Sequence, residues 1–357
     1  MSPTTLRPSW VRQAGWVIGL TVLALAISVL RITPKLVPWH DHPLFFETTK
    51  VDSMVAQLHD PSGWDRIRKN DPEFNGIQTI RWRLLPPVFG HALDLSPHAY
   101  LTLPWLGLAW LMALVVHYAL RAGASSLAAG AGAIVVGTSS AFFCGSCAIG
   151  YFDPFYLIAL VAFTFSPSPL AALGACLLGP WIDEKFLIML PACVVARWAL
   201  FPDWRTWRWA LLGIAPYCLL RLIALGSGDD SFSRQFAMQG AMFRNYAPAL
   251  PEGWWYGFRA GWLLVGAGIG AVVMTVTRPA RWFLGLALIA GVGAISFLAW
   301  DTTRSIAMLL PFLILGLCKG VDGRVVLAVA VLNLLLPAAY VWCGTPVTVP
   351  VTSILFR

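Results

Sequence analysis

Five short stretches of this chain carry side chains whose types could do chemistry. They are PWHDHPLFFE with Asp41 between His40 and His42, IRWRLLPP with Arg81 and Arg83, GYFDPFY with Asp153, GPWIDEKFLIMLP with Asp183, Glu184 and Lys185, and WDTTRS with Asp301 and Arg304. Carboxylates serve as general bases or cation ligands, whereas Arg and Lys hold a phosphate through charge-assisted hydrogen bonds. Acids and bases together therefore suit chemistry on a phosphate group. The fourth stretch is the most demanding, because its three consecutive charges interrupt apolar sequence. A charged side chain at the centre of a bilayer helix costs roughly 2.5 to 3.5 kcal/mol on insertion scales.

Each stretch also has a plainer reading. Asp153 before Pro154 is a helix-start signal, and Asp301 is placed to cap a helix whose Arg304 snorkels. Glu184 and Lys185 fit an ordinary solvated turn, and Arg81 and Arg83 fit contacts to lipid headgroups. His40 and His42, one residue apart, do not match a metal-ligand signature, and no metal is expected. CGSC, Cys144 to Cys147, lacks the βαβ context of a redox motif and a second pair of zinc ligands. The other five cysteines read as small apolar residues.

The elements that must position these groups follow from composition. The chain of 357 residues is 58% hydrophobic and 12% charged, against about 25% charged in an average soluble domain, which points to a polytopic membrane protein. The net charge of +8 comes from Arg residues scattered between apolar runs, with no basic stripe that would suit nucleic acid. Apolar runs predict an all-α bundle of about eleven membrane segments: 14–32, 99–120, 125–143, 154–166, 169–181, 186–200, 209–226, 254–276, 282–299, 305–318 and 324–342. The first, 14–32, is long enough to be a retained span, and no small-residue cleavage motif follows it. The three segments between Pro154 and Leu200 are shorter than the roughly 20 residues of a full crossing, so partial or broken helices are expected there.

Lys and Arg in short loops mark the cytoplasmic side. With the N-terminus inside, Arg121, Arg197, Arg205, Arg208, Arg278, Arg281, Lys319 and Arg324 all fall in the cytoplasm, and only Asp203 and Asp322 of the 17 carboxylates join them. The acidic chemistry is thus expected outside, with residues 183–185 at an outward turn. No fixed-period repeat or linker divides the chain, so residues 1–357 read as one domain. Residues 33–98 form its large first extracytoplasmic loop, in which Leu44, Val51, Val55 and Leu58 share one face of an interfacial helix.

This layout resembles the GT-C superfamily of polytopic glycosyltransferases, which use polyprenyl-phosphate-linked sugars. The resemblance rests on Asp41 soon after the first span, the loop at 33–98 and the short segments of residues 154–200. His42 stands where a second acidic residue often follows in that family, and no oligosaccharyltransferase or protein mannosyltransferase signature is present. The resemblance implies sugar transfer from a polyprenyl-phosphate lipid at the extracytoplasmic face, with no cofactor. By it Asp41 is the candidate base, and Arg81, Lys185 and Arg304 are candidate phosphate contacts. Asp153, Asp183 and Glu184 are further catalytic candidates, and Arg83 and Asp301 further substrate contacts. A transporter or lipid flippase, or a non-catalytic lipid-binding subunit, remain the alternatives. The expected partners are membrane lipids and the lipid donor. Arg outnumbers Lys twenty to five and no N-x-[ST] sequon occurs, which together favour a bacterial inner membrane with the site facing the periplasm.

Overall fold

Apolar runs punctuated by Pro, Gly and charge fold into helices. The computed structural model describes residues 10–31, 54–60, 82–147, 151–203, 205–226, 240, 243–298, 301–319, 321–342 and 345–348. In chain order the helices are α1 (Trp10–Arg31), α2 (Leu85–Ala92), α3 (Pro97–Arg121), α4 (Ser126–Gly137), α5 (Ser140–Cys147), α6 (Asp153–Phe165), α7 (Pro169–Leu178) and α8 (Lys185–Leu200). They continue with α9 (Thr206–Gly226), α10 (Leu250–Phe258), α11 (Trp262–Thr275), α12 (Arg278–Leu298), α13 (Thr302–Ser305), α14 (Leu310–Lys319) and α15 (Gly323–Leu335). Among the described residues five helical stretches, two of them running through 3-10 turns, are long and apolar enough to cross a membrane: Gln13–Arg31, Pro97–Arg121, Phe243–Thr275, Arg278–Phe297 and Thr302–Lys319. The chain is a helical membrane protein.

The middle of the chain is built from shorter pieces, as expected. Helix α6 has 13 residues and α7 has 10, and the 16-residue α8 carries Pro191 inside it. Three runs expected to be continuous are interrupted, the one at 305–318 by a 3-10 turn, Ile306–Leu309. The run at 125–143 divides at Thr138 and Ser139, whose hydroxyls bond back to Ile134 and Val136 carbonyls at 2.7 Å and compete with the helix ladder. The run at 254–276 divides at a 3-10 turn, Arg259–Gly261, where Arg259 has a positive φ of 50°. The last segment is shorter than expected. Helix α15 ends at Leu335, just before Pro337, which cannot continue the ladder, and the chain goes on as β1 (Ala339–Trp342), paired antiparallel with β2 (Thr345–Thr348).

Burial separates core helices from lipid-facing ones. The apolar window of Thr302–Lys319 is 89% buried, whereas that of Gln13–Arg31 is 17% buried, so α14 forms the axis of the bundle and α1 lies at its edge. Helices α11 and α14 touch backbone to backbone. A Cβ at Gly268 would overlap the Phe312 carbonyl oxygen, and one at Gly316 would overlap the Leu264 carbonyl oxygen. Small residues permit such close approach in membranes, where dispersion contacts replace the hydrophobic drive. Gly316→Ala should therefore destabilise the fold by about 1–3 kcal/mol. Thermal unfolding in detergent reads it, and an unshifted midpoint would mean that this crossing is looser than described.

The described part of the first loop includes a helical turn at 54–59. Its Leu58 is buried, and with Tyr100 it closes over Gly90 of α2. That turn packs against the bundle, while Leu44 and Val51 lie outside the described residues.

Candidate active site

The WIDEK stretch owes its geometry to Gly179. Helix α7 passes into a 3-10 turn, Gly179–Trp181, and a Cβ at Gly179 would collide with the Phe186 ring. The missing side chain lets α8 start directly over the turn. Asp183 Oδ1 accepts the Lys185 amide at 2.9 Å, so Asp183 satisfies one of the orphan donors at the start of α8.

The other carboxylate oxygen faces three cations from separate elements. Asp183 Oδ2 lies 3.0 Å from Arg83 Nη2, 3.4 Å from Lys185 Nζ and 3.6 Å from Arg304 Nη2. Asp153 stands at the first residue of α6, yet its side chain does not cap that helix. It grips Arg304 by both oxygens, one to Nε and the other to Nη2 at 3.2 Å, and Lys185 Nζ approaches it at 3.7 Å. Asp301 does cap α13, accepting the Arg304 amide at 3.0 Å, and lies 3.6 Å from Arg304 Nη1. Glu184 meets Arg83 Nε at 3.4 Å.

Seven of the residues singled out in the sequence thus meet at one end of the bundle: Arg83, Asp153, Asp183, Glu184, Lys185, Asp301 and Arg304. Asp41, with His40 and His42, and Arg81 lie outside the described residues. Sequence reasoning missed the aromatic lining. Arg304 stacks 3.6 Å over the Tyr151 ring, Lys185 sits 5.5 Å from the centre of the Tyr156 ring, and Arg221 of α9 covers Trp82 at 4.3 Å. Tyr151 and Tyr156 flank Asp153 in GYFDPFY, so their position in the sequence was the available signal.

The carboxylates are not equivalent. Burial works to raise the Asp183 pKa, but Arg83, Lys185 and Arg304, helped by the Lys185 amide, outweigh it and hold the carboxyl below the ordinary range. Glu184 behaves oppositely. Burial and the adjacent Asp183 charge outweigh Arg83 and raise its pKa above the ordinary value. Glu184 also keeps 28% of its side chain exposed, against 2% for Asp183 and 4% for Asp153. It is the carboxylate best placed to take a proton from an entering group. Lys185 has the longest ionic contacts of the three cations and is the one most easily drawn to a new anion.

Among the described residues no group of three or more His, Cys, Asp or Glu side chains is arranged to hold a metal ion. Comparisons of the chain with protein-family models, with curated proteins and with solved structures gave no match.

Proposed function

We propose that this chain is a membrane glycosyltransferase of GT-C type, which transfers a sugar from a polyprenyl-phosphate donor at the extracytoplasmic face. In this reading about eleven segments cross or enter the membrane, the N-terminus is cytoplasmic, and the site faces the periplasm of a bacterial inner membrane. The observation that carries it is the convergence of acids and bases from α6, the turn before α8, α13 and the residues preceding α2 at one end of the bundle, beside short helices. An acceptor hydroxyl or phosphate attacks the anomeric carbon, a carboxylate receives its proton, and the bond to the polyprenyl phosphate breaks. Glu184 is the base that the geometry favours, and Asp41 the one that the family resemblance implies. Lys185, with Arg304 and Arg83 behind it, stabilises the departing phosphate. Because each cation already holds a carboxylate, the phosphate enters by displacing one, and the loose Lys185 contacts make that exchange cheapest there.

Purified protein incubated with polyprenyl-phosphate sugars should release or transfer the sugar. Lys185→Ala should weaken donor binding roughly ten to a hundredfold, and Lys185→Arg should restore part of it, since the lost contact is a charge-assisted bond to a point charge. Sugar turnover undetectable in the wild type, or wild-type donor binding in Lys185→Ala, would overturn the assignment. Cysteine labelling of His98→Cys, an exposed position expected on the same outer side as Asp183, from each side of sealed vesicles tests the orientation. Reaction from the N-terminal side alone would reverse it.

A further inference from the structure

Two of the helix breaks described above meet at a second polar centre made of different residues. Arg259, 1% exposed, donates to the Thr138 carbonyl at the α4–α5 break, to the Asn333 carbonyl at 2.8 Å and to the Leu336 carbonyl at 2.9 Å. Arg31, 8% exposed at the end of α1, donates to the Leu334 carbonyl at 2.7 Å and to the same Leu336 carbonyl at 2.8 Å. Asn333 fastens the arrangement by donating to the Phe258 carbonyl at 3.2 Å. Two guanidinium groups are thereby held on one oxygen, in a chain region flanked by lipid-exposed Leu30 and Leu335.

Among the described residues neither arginine has a carboxylate within ion-pair distance, whereas Arg304, Arg83 and Lys185 each have at least two. The end of α15 supplies only about half a negative charge through its carbonyls, against two full positive ones. Arg31 Nη1 is buried with no hydrogen-bond partner. A nitrogen donor of a buried cation left unpaired is expensive in low dielectric. Arg259 also sits at a positive φ, a conformation that costs a non-glycine residue free energy and persists where the surroundings impose it. Backbone breaks inside a membrane are tolerated where protein or a ligand satisfies the freed groups.

We propose that Arg31 and Arg259 form an anion site for a phosphate group, reached laterally past Leu30 and Leu335 and filled by the headgroup of an anionic lipid. It is separate from the acidic cluster and does not depend on the glycosyltransferase reading. The free Arg31 Nη1 supplies the first donor, and the second guanidinium supplies the charge that makes the site selective for phosphate over a neutral headgroup. Thermal unfolding of the full chain in neutral detergent, followed by tryptophan fluorescence, can titrate three probes: dioleoyl phosphatidic acid, dioleoyl phosphatidylcholine and inorganic phosphate. Wild type should be stabilised saturably by phosphatidic acid and not by phosphatidylcholine. Arg31→Gln, at the edge of the bundle, should raise the midpoint concentration of that effect at least tenfold, and Arg31→Lys should lose less. Arg121→Gln, at the end of α3 remote from this centre, should behave as wild type. Saturable stabilisation by inorganic phosphate that Arg31→Gln removes would keep the site and make a soluble anion its occupant. An unchanged response in Arg31→Gln, or none to either phosphate probe in wild type, would overturn the proposal. If Arg31→Gln unfolds without lipid, Arg31→Lys supplies the same comparison, and a response identical to wild type there and in Arg259→Lys would also overturn it.

Discussion

Asp153→Asn should cost the fold up to about 3–5 kcal/mol, because Arg304 loses its two-pronged carboxylate partner in a buried position and keeps only the 3.6 Å contacts to Asp183 and Asp301. Both partners are nearly sealed from solvent, at 4% and 8% side-chain exposure, so water cannot replace the lost charge. Arg304→Gln should be comparably damaging. The double variant should be much less unstable than the two losses added together, since each single change breaks the same two-pronged contact and leaves the surviving partner only contacts of 3.6 Å or longer. Reversible unfolding in mixed micelles measures all three. Strict additivity would show that the contact contributes no coupling, and that the cluster is held by its surroundings instead.

Glu184→Gln should have the opposite profile, with little change in stability and turnover lower by about two to four orders of magnitude. Among the described residues its one ionic contact, to Arg83, is long, and its side chain is partly exposed, so the fold tolerates the change. The pH dependence gives a second readout. A base works only when ionised, and the Glu184 pKa is raised in the folded protein. Turnover should therefore fall as pH drops through a value above the roughly 4.3 of a free glutamate. Near-normal turnover in Glu184→Gln, together with loss in Asp41→Asn, would move the base to Asp41.

Much of this arrangement was legible in the sequence, for identifiable reasons. Apolar runs bounded by Pro and charge located the helices, because a bilayer allows the backbone few other solutions. The alternation of basic loops alone puts Asp153, residues 183–185 and Asp301 with Arg304 at one end. What stayed hidden was pairing. Nothing local to GYFDPFY shows that Asp153 turns away from its own helix start to Arg304, 151 positions later. The breaks at Thr138 and Arg259 were equally silent, since both runs keep their apolar composition through the interruption and only the tertiary bonds of Arg259 explain the second. Arg31 falls within the predicted run 14–32, and nothing in that run shows its contact to the end of α15, 303 positions away.

The brevity of α7 has a consequence for the bilayer itself. Its ten residues and the three of the following 3-10 turn reach about 20 Å, while the hydrocarbon core is about 30 Å thick. Leu170, Leu177 and Leu178 are exposed along it, so acyl chains must meet this wall. Hydrophobic mismatch of that size draws the adjoining leaflet inward, which brings headgroups down toward the level of Asp183 and Lys185. The fold would then respond to acyl length as much as to headgroup chemistry, with the least mismatch in thin bilayers and more as the surrounding chains lengthen.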